Sequence, residues 1–249
     1  MTERQEALLA SIIREYVQTA QPISSKQIEN SGFFELSSAS IRAEMNELEE
    51  RGYLAHLHTS GGRVPTDKAY RYFVDNLIDL ESIRPMERDK RKIKEVIQRA
   101  ENDPRELIKT VGQVLSSLSE NLVITNIEDD PLKNDGSEFF KTGLSSLFEL
   151  PEFREFERIF RVTNFFDEFE RFFGRIEQEL FNRTAEDIKI MIGQESNMKE
   201  IKDETVIYAT YQLPHGFRGM VALIGPTRMN YQRNIGLLKY TGEEIDKLN

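Results

Sequence analysis

Chain breakers within the first 80 residues constrain the fold before composition is considered. Pro22, Gly32, Gly52 and the pair Gly61-Gly62 cut this stretch into helix-length pieces. Pro cannot continue a helix, and Gly closes one cheaply in the left-handed conformation. Leu8, Leu9, Ile12, Ile13, Tyr16 and Val17 share one helical stripe ahead of Thr19-Ala20-Gln21-Pro22. Ser24 or Ser25 caps a second, short helix holding Lys26, Gln27 and Ile28. Ser37 or Ser38 caps a third, whose inner face is Ile41, Met45 and Leu48. The extended run 53–57 leads into His58-Thr59-Ser60-Gly61-Gly62-Arg63-Val64-Pro65, which reads as a hairpin. Thr66 or Asp67 then caps a helix with Tyr70, Phe73, Val74 and Leu77 on one face.

Helix, short helix, tight turn, helix and two-stranded wing is the order of a winged helix-turn-helix, and it fills residues 1–80. In that motif the third helix enters the major groove and its N-terminal residues face base edges. The outward residues of the third helix suit the task. Arg42 matches guanine bidentately and Asn46 matches adenine, while the small residues Ala39, Ser40 and Ala43 allow close approach. Ser38 and Ser40 lie at the helix start, where free amides bind phosphate. In the wing, Arg63 supplies charge, His58, Thr59 and Ser60 supply donors, and Gly61 and Gly62 allow backbone approach. Lys26 adds charge on the second helix. The competing reading is a winged helix that binds protein. It draws on the acidic excess of this region and on Glu44, Glu47, Glu49 and Glu50.

Residues 81–119 read as a helical connector with stripes at Ile93, Val96, Ile97 and Ala100, then Leu107, Val111, Val114, Leu115 and Leu118, parted by Asn102-Asp103-Pro104. Residues 120–249 mix strand and helix. Runs at 122–125, 188–192, 206–211 and 219–224 have strand character, and a last helix spans about 230–248. Without clear βαβ units this predicts an α+β domain with an antiparallel sheet. Most of the 16 Phe fall within a segment, 139–181, that reads as helical. Phe165, Phe169, Phe172 and Phe173 recur there at helical spacing. That stripe is either core or the interface of a homodimer, which two symmetric recognition helices on an inverted repeat would require.

Composition narrows the function. With 39% apolar and 31% charged residues the chain reads as globular rather than disordered. It has no apolar run long enough for a membrane helix and no secretory leader pattern, so a cytoplasmic protein is expected. The net charge of −10 argues against nucleic-acid binding, but it is a whole-chain sum and binding depends on a local patch. Cysteine chemistry is excluded by the absence of Cys, and no phosphate-binding Gly-rich loop occurs. His56 and His58 alternate on one strand, too few for a metal without further ligands nearby. No enzyme activity, cofactor or metal is expected. The cluster Arg88, Lys90, Arg91, Lys92 and Lys94 reads as a solvated helix face, and Gly225-Pro226-Thr227-Arg228 as a strand-to-helix turn.

The stretch from Ser37 to Glu49, the wing from His58 to Lys68, and Tyr70-Arg71-Tyr72-Phe73-Val74-Asp75 resemble the bacterial HrcA family of heat-inducible transcription repressors. So do Thr2-Glu3-Arg4-Gln5, Pro22-Ile23-Ser24-Ser25-Lys26 and, at the far end, Leu223-Ile224-Gly225-Pro226-Thr227-Arg228-Met229-Asn230-Tyr231. The sequence departs from the family at Ala43-Glu44, where Asn-Asp is common, and at Gly61, where the wing usually has Ala. The resemblance implies that 120–249 is a GAF-like domain with a shortened helical dimerisation segment. It also implies a dimer that represses chaperone operons from the inverted-repeat operator CIRCE, release on heat stress, and the chaperonin GroEL as a partner. The alternative is a ligand-sensing regulator whose GAF-like domain binds a small molecule.

Overall fold

The computed structural model describes residues 1–56, 62–128, 138–181 (backbone alone beyond 169), 188–196 and 198–249. The chain divides into two units, Met1–Asp79 with Thr227–Met229, and Leu80–Pro226 with Asn230–Asn249.

In the first unit α1 spans Glu3–Thr19. A reciprocal capping box between Thr2 and Gln5 starts it, and a left-handed residue, Ala20, stops it two positions before Pro22. A second capping box, Ser24 with Gln27, starts α2 at Ser25–Asn30, and Ser37 caps α3 at Ser38–Glu50. Strands β1 (Leu54–His56) and β2 (Arg63–Pro65) pair antiparallel with His56 opposite Arg63. Ile23 adds an isolated bridge to Arg63 on the other edge of β2. Thr66 caps α4, Asp67–Tyr72, which continues into a π-helical turn at Phe73–Leu77. Leu9, Ile12, Ile13, Ile41, Met45 and Leu48 are fully buried and bind α1 to α3. Each contributes roughly 1.5–3 kcal/mol of transfer free energy.

The second unit begins with α5 (Glu87–Arg99) and α6 (Pro104–Ser119), followed by β3 (Leu122–Glu128) and β4 (Glu138–Thr142). Then come α7 (Leu144–Phe148), α8 (Phe156–Phe181), β5 (Ile188–Ile192), β6 (Glu204–Gln212), β7 (Arg218–Pro226) and α9 (Tyr231–Ile245). The sheet order is β4-β3-β7-β6-β5, antiparallel throughout. Alternation along the strands makes both faces apolar. Leu122, Ile124, Val206, Tyr208, Met220 and Ile224 meet Leu147, Phe153, Val162, Phe165 and Phe169 on the α7/α8 side. The other face is covered by α6 and α9. Gly112 lets α6 approach β3, since a Cβ there would lie 2.8 Å from the Thr125 methyl. The result is an α+β unit consistent with a GAF-like domain.

Two expectations need correction. The stretch 81–119 is not a separate connector: α5 and α6 belong to the second unit, and α6 forms part of its core. Residues 139–142, expected to be helical, lie instead in β4 beside β3, with Asn126 opposite Phe139 and Thr125 opposite Phe140. Gly143, in a left-handed conformation, ends that strand, and a run this short carries no readable period. Among the described residues no helix is long and apolar enough to cross a membrane.

Candidate nucleic-acid interface

Side-chain bonds fix α2 against the first turn of α3. Ser25 Oγ lies 2.9 Å from Ser38 Oγ, and the Ser38 amide donates to Glu29 Oε1 at 3.0 Å. The carboxylate therefore takes one of the free amides that every helix start presents. Ser40 is exposed one turn in, with its hydroxyl 3.1 Å from that of Ser37.

Residues of α3 sort cleanly by face. Ile41, Met45 and Leu48 point into the core, while Ala39, Ser40, Arg42, Ala43 and Asn46 are exposed. Arg42 has no hydrogen bond or ion pair among the described residues, and Lys26 on α2 is likewise exposed. Three of the four acidic residues of α3 are bonded within the unit. Glu44 accepts from Arg4 and, at 3.0 Å, from Gln5 Nε2; the same Nε2 donates to Glu47 at 2.7 Å. Gln5 Oε1 in turn accepts from Arg51 at 3.2 Å. Glu49 lies 2.6 Å from His56 Nδ1 and accepts from Arg63 Nε at 2.8 Å. Desolvation raises the Glu49 carboxyl, but the hydrogen bonds from His56 and Arg63 outweigh it and hold its pKa below the ordinary value. Two of the four acidic residues that argued against DNA, Glu44 and Glu49, thus have cationic partners within the unit, and Glu47 is held by a neutral amide.

The wing differs from expectation at its one basic residue. Arg63, read as a charge offered to DNA, is only 8% exposed and turns inward. Its guanidinium donates to Glu49 and to Asn46 Oδ1, and its backbone exchanges two 2.8 Å hydrogen bonds with Ile23. A guanidinium on this strand finds two acceptors on α3, so pairing replaces hydration. Gly62 approaches protein rather than DNA: a Cβ there would stand 2.4 Å from the Ile23 carbonyl carbon. His58, Thr59, Ser60 and Gly61 lie outside the described residues.

The remaining candidates disperse. Phe165 and Phe169 are buried at 0% and 1% exposure in the core of the second unit, so they cannot form a subunit interface. The side chains of Phe172 and Phe173 lie outside the described residues. Among the described side chains of α8 the exposed aromatics are Phe156 and Phe160, stacked with centroids 6.3 Å apart. Arg228 donates to the Val17 carbonyl at 3.0 Å, and Asn230 caps α9. On α5, Arg88, Arg91, Lys92 and Lys94 are exposed and Lys90 pairs with Glu87. No group of three metal-ligating side chains occurs among the described residues.

Comparison with known proteins decides the family. The model described as the HrcA protein C terminal domain matches residues 35–235, from ahead of α3 into α9. The chain belongs to the HrcA family. Relatives named heat-inducible transcription repressor HrcA match it along nearly all of both chains. The Geobacter sulfurreducens protein is 25% identical over 340 residues, covering 100% of this chain and 98% of its own. That of Clostridium tetani is 26% identical (100% and 95%), and that of Oceanobacillus iheyensis 27% (98% and 96%). These alignments run longer than the 249 residues here, so segments of the HrcA relatives have no counterpart in this chain. A crystal structure described as a hypothetical protein shares the fold, with a TM-score of 0.70, 19% identity and full coverage of both chains.

Several residues of this HrcA-family chain carry structure that its motifs did not announce. Arg4 and Gln5 sit in the opening motif, yet their partners lie about forty positions away on α3. Glu29 carries no sequence signal for its role, because its partner is a backbone amide. A glutamine at the N3 position of a capping box was the one available signal for Gln5.

Proposed function

We propose that this chain is a heat-inducible transcription repressor that reads duplex DNA through α3. In this reading α1–α4 with β1 and β2 form a winged helix-turn-helix. Ser38 and Ser40 face phosphate at the start of α3, and Arg42 and Asn46 face base edges. Lys26 and the wing residues His58, Thr59, Ser60 and Gly61 meet the backbone. Arg63 supports the wing from within. The operator is an inverted repeat of the CIRCE type read by a homodimer in the cytoplasm. Heat releases the repressor, and GroEL restores it.

The observation that carries the reading is the division of charge on α3. Glu44, Glu47 and Glu49 are engaged by Arg4, Gln5, His56 and Arg63, whereas Arg42 projects outward with no partner among the described residues. Of the two winged-helix readings, this favours DNA, because Arg42 is left exposed while Glu44 and Glu49 are paired with cationic side chains.

The test is a titration of the chain against a duplex carrying the inverted repeat and a scrambled duplex, over a salt series. Tight, salt-sensitive binding to the repeat is expected, weakened by Arg42→Ala by about 1–3 kcal/mol. Equal, weak binding to both duplexes overturns the proposal.

A further inference from the structure

We propose that the outer face of α5 is a second DNA-contacting surface, one that binds the phosphodiester backbone of the duplex without reading bases. The inference extends the reading of this chain as a DNA binder and uses none of the residues of α3. α5 holds six basic residues against three acidic ones, in a chain whose net charge is −10. Its inner side is marked by Ile93 and Ile97, both buried. Arg88, Arg91 and Lys92 share an arc of about 100° on the opposite side, and all three are exposed. The acids of α5 are engaged by other groups. Asp89 is buried and accepts from Arg233 at 3.2 Å, with Arg88 Nε 3.4 Å away. Glu87 pairs with Lys90 at 2.7 Å, and Glu95 with Arg99 at 3.8 Å. Arg91 and Lys92 have neither ion pair nor hydrogen bond among the described residues.

Like charges three or four positions apart oppose a helix, and Arg88 stands in both relations, to Arg91 and to Lys92. The chain has 43 acidic residues to draw on, yet none of those described is in ion-pair range of Arg91 or Lys92. A polyanion relieves that repulsion, and duplex DNA supplies one negative charge per about 1.7 Å of its axis. Chain length favours the duplex that the first unit already holds. Residues 80–86 join Asp79, in the first unit, to Glu87 at the start of α5. That tether spans at most about 29 Å, less than one duplex turn of about 34 Å. A tether so short makes the second contact intramolecular, so phosphate contacts too weak to hold DNA alone add to the affinity of α3.

The experiment titrates the full chain against the inverted-repeat duplex and a scrambled duplex over a salt series. One variant combines Arg91→Gln with Lys92→Gln; Gln is a good helix former, so α5 stays intact. A second, Arg91→Lys with Lys92→Arg, keeps both charges. A third, Lys199→Gln with Lys202→Gln, removes two exposed charges elsewhere on the second unit. The first should lower the slope of log affinity against log salt by about 1.8, two phosphate contacts at about 0.9 each, so a fourfold rise in salt costs it about tenfold less affinity than wild type. Either single Gln substitution should give about half that change. Preference for the repeat over the scrambled duplex should stay as in wild type, and the other two variants should keep the wild-type slope. A wild-type slope in the Gln pair overturns the inference and leaves this face to an acidic protein. An equal drop in the Lys199 and Lys202 variant overturns it too, since overall charge would then explain the effect, as does a loss confined to the repeat. If wild type binds both duplexes equally, the reading of α3 falls, while the slope change at Arg91 and Lys92 still decides the role of α5. If wild type binds neither duplex, both fall.

Discussion

Gly62 and Ile23 meet backbone to backbone, leaving no room for a Cβ on Gly62, which would stand 2.4 Å from the Ile23 carbonyl carbon and 2.5 Å from its oxygen. The obstacle is main chain, so it cannot swing aside as a side chain would. Gly62→Ala should therefore push β2 off Ile23 and break the two 2.8 Å hydrogen bonds between Ile23 and Arg63. The expected cost is about 1–3 kcal/mol, read as a lower melting temperature. Operator affinity should fall with it, because Arg63 leaves Asn46. A variant that melts like wild type would show that the bridge is dispensable.

Gln5 joins the start of α1 to two carboxylates of α3 through a single amide nitrogen, 3.0 Å from Glu44 and 2.7 Å from Glu47. Gln5→Leu keeps the volume and removes the donor. Glu44 is 9% exposed and cannot recover full hydration, so a loss of about 1–3 kcal/mol is expected. Equilibrium denaturation measures it. DNA binding should weaken evenly across sequences, since Glu47 is then free to oppose phosphate. A sequence-dependent loss would instead assign Gln5 a role in base reading.

Much of the fold was legible because it follows from local rules. Pro22, Gly32 and Gly52 bound the helices, and Thr2, Ser24, Ser37, Thr66 and Asn230 cap them as short polar residues do. Runs rich in Val and Ile at 188–192, 206–211 and 219–224 became strands. Long-range pairing was not legible. Nothing in the sequence says that Arg63 prefers Glu49 and Asn46 to solvent, since that choice depends on the approach of β2 to α3. The Phe-rich stretch hid β4 because Phe139 and Phe140 suit strand and helix alike.

Glu204 is 1% exposed and takes its charge partner from α8, with Arg158 Nε 2.8 Å from Oε1. Burial is the largest influence and raises its carboxyl above the ordinary value near 4.5, with Arg158 offsetting only part. A carboxyl raised on folding contributes stability that is fully present below its unfolded pKa and lost as pH rises through the folded pKa. The stability of wild type relative to Glu204→Gln should therefore fall as pH rises from about 4.5. Arg158→Met should cost about 3–5 kcal/mol at neutral pH, and less in acid, where Glu204 is protonated. Urea titrations at several pH values check both; a pH-independent difference would contradict the buried, coupled pair.

Phe156 and Phe165 are nine residues apart on α8, as are Phe160 and Phe169, and nine residues make about two and a half helical turns. The members of each pair therefore lie on opposite faces. The inner pair is buried at 0% and 1%, while Phe156 and Phe160 are 79% and 55% exposed and stacked on each other. A homodimer built on α8 would thus use the outer pair, because burying two large aromatic surfaces is what an interface core supplies. Phe156→Glu with Phe160→Glu should leave the melting temperature of the second unit near wild type, shift sedimentation from dimer to monomer, and weaken operator binding. Phe165→Ala should instead destabilise the unit by about 3–5 kcal/mol through the cavity it leaves. If the double variant sediments as a dimer, self-association lies elsewhere on the chain. If wild type is monomeric at concentrations that saturate the operator, the two-fold reading of the inverted repeat is lost.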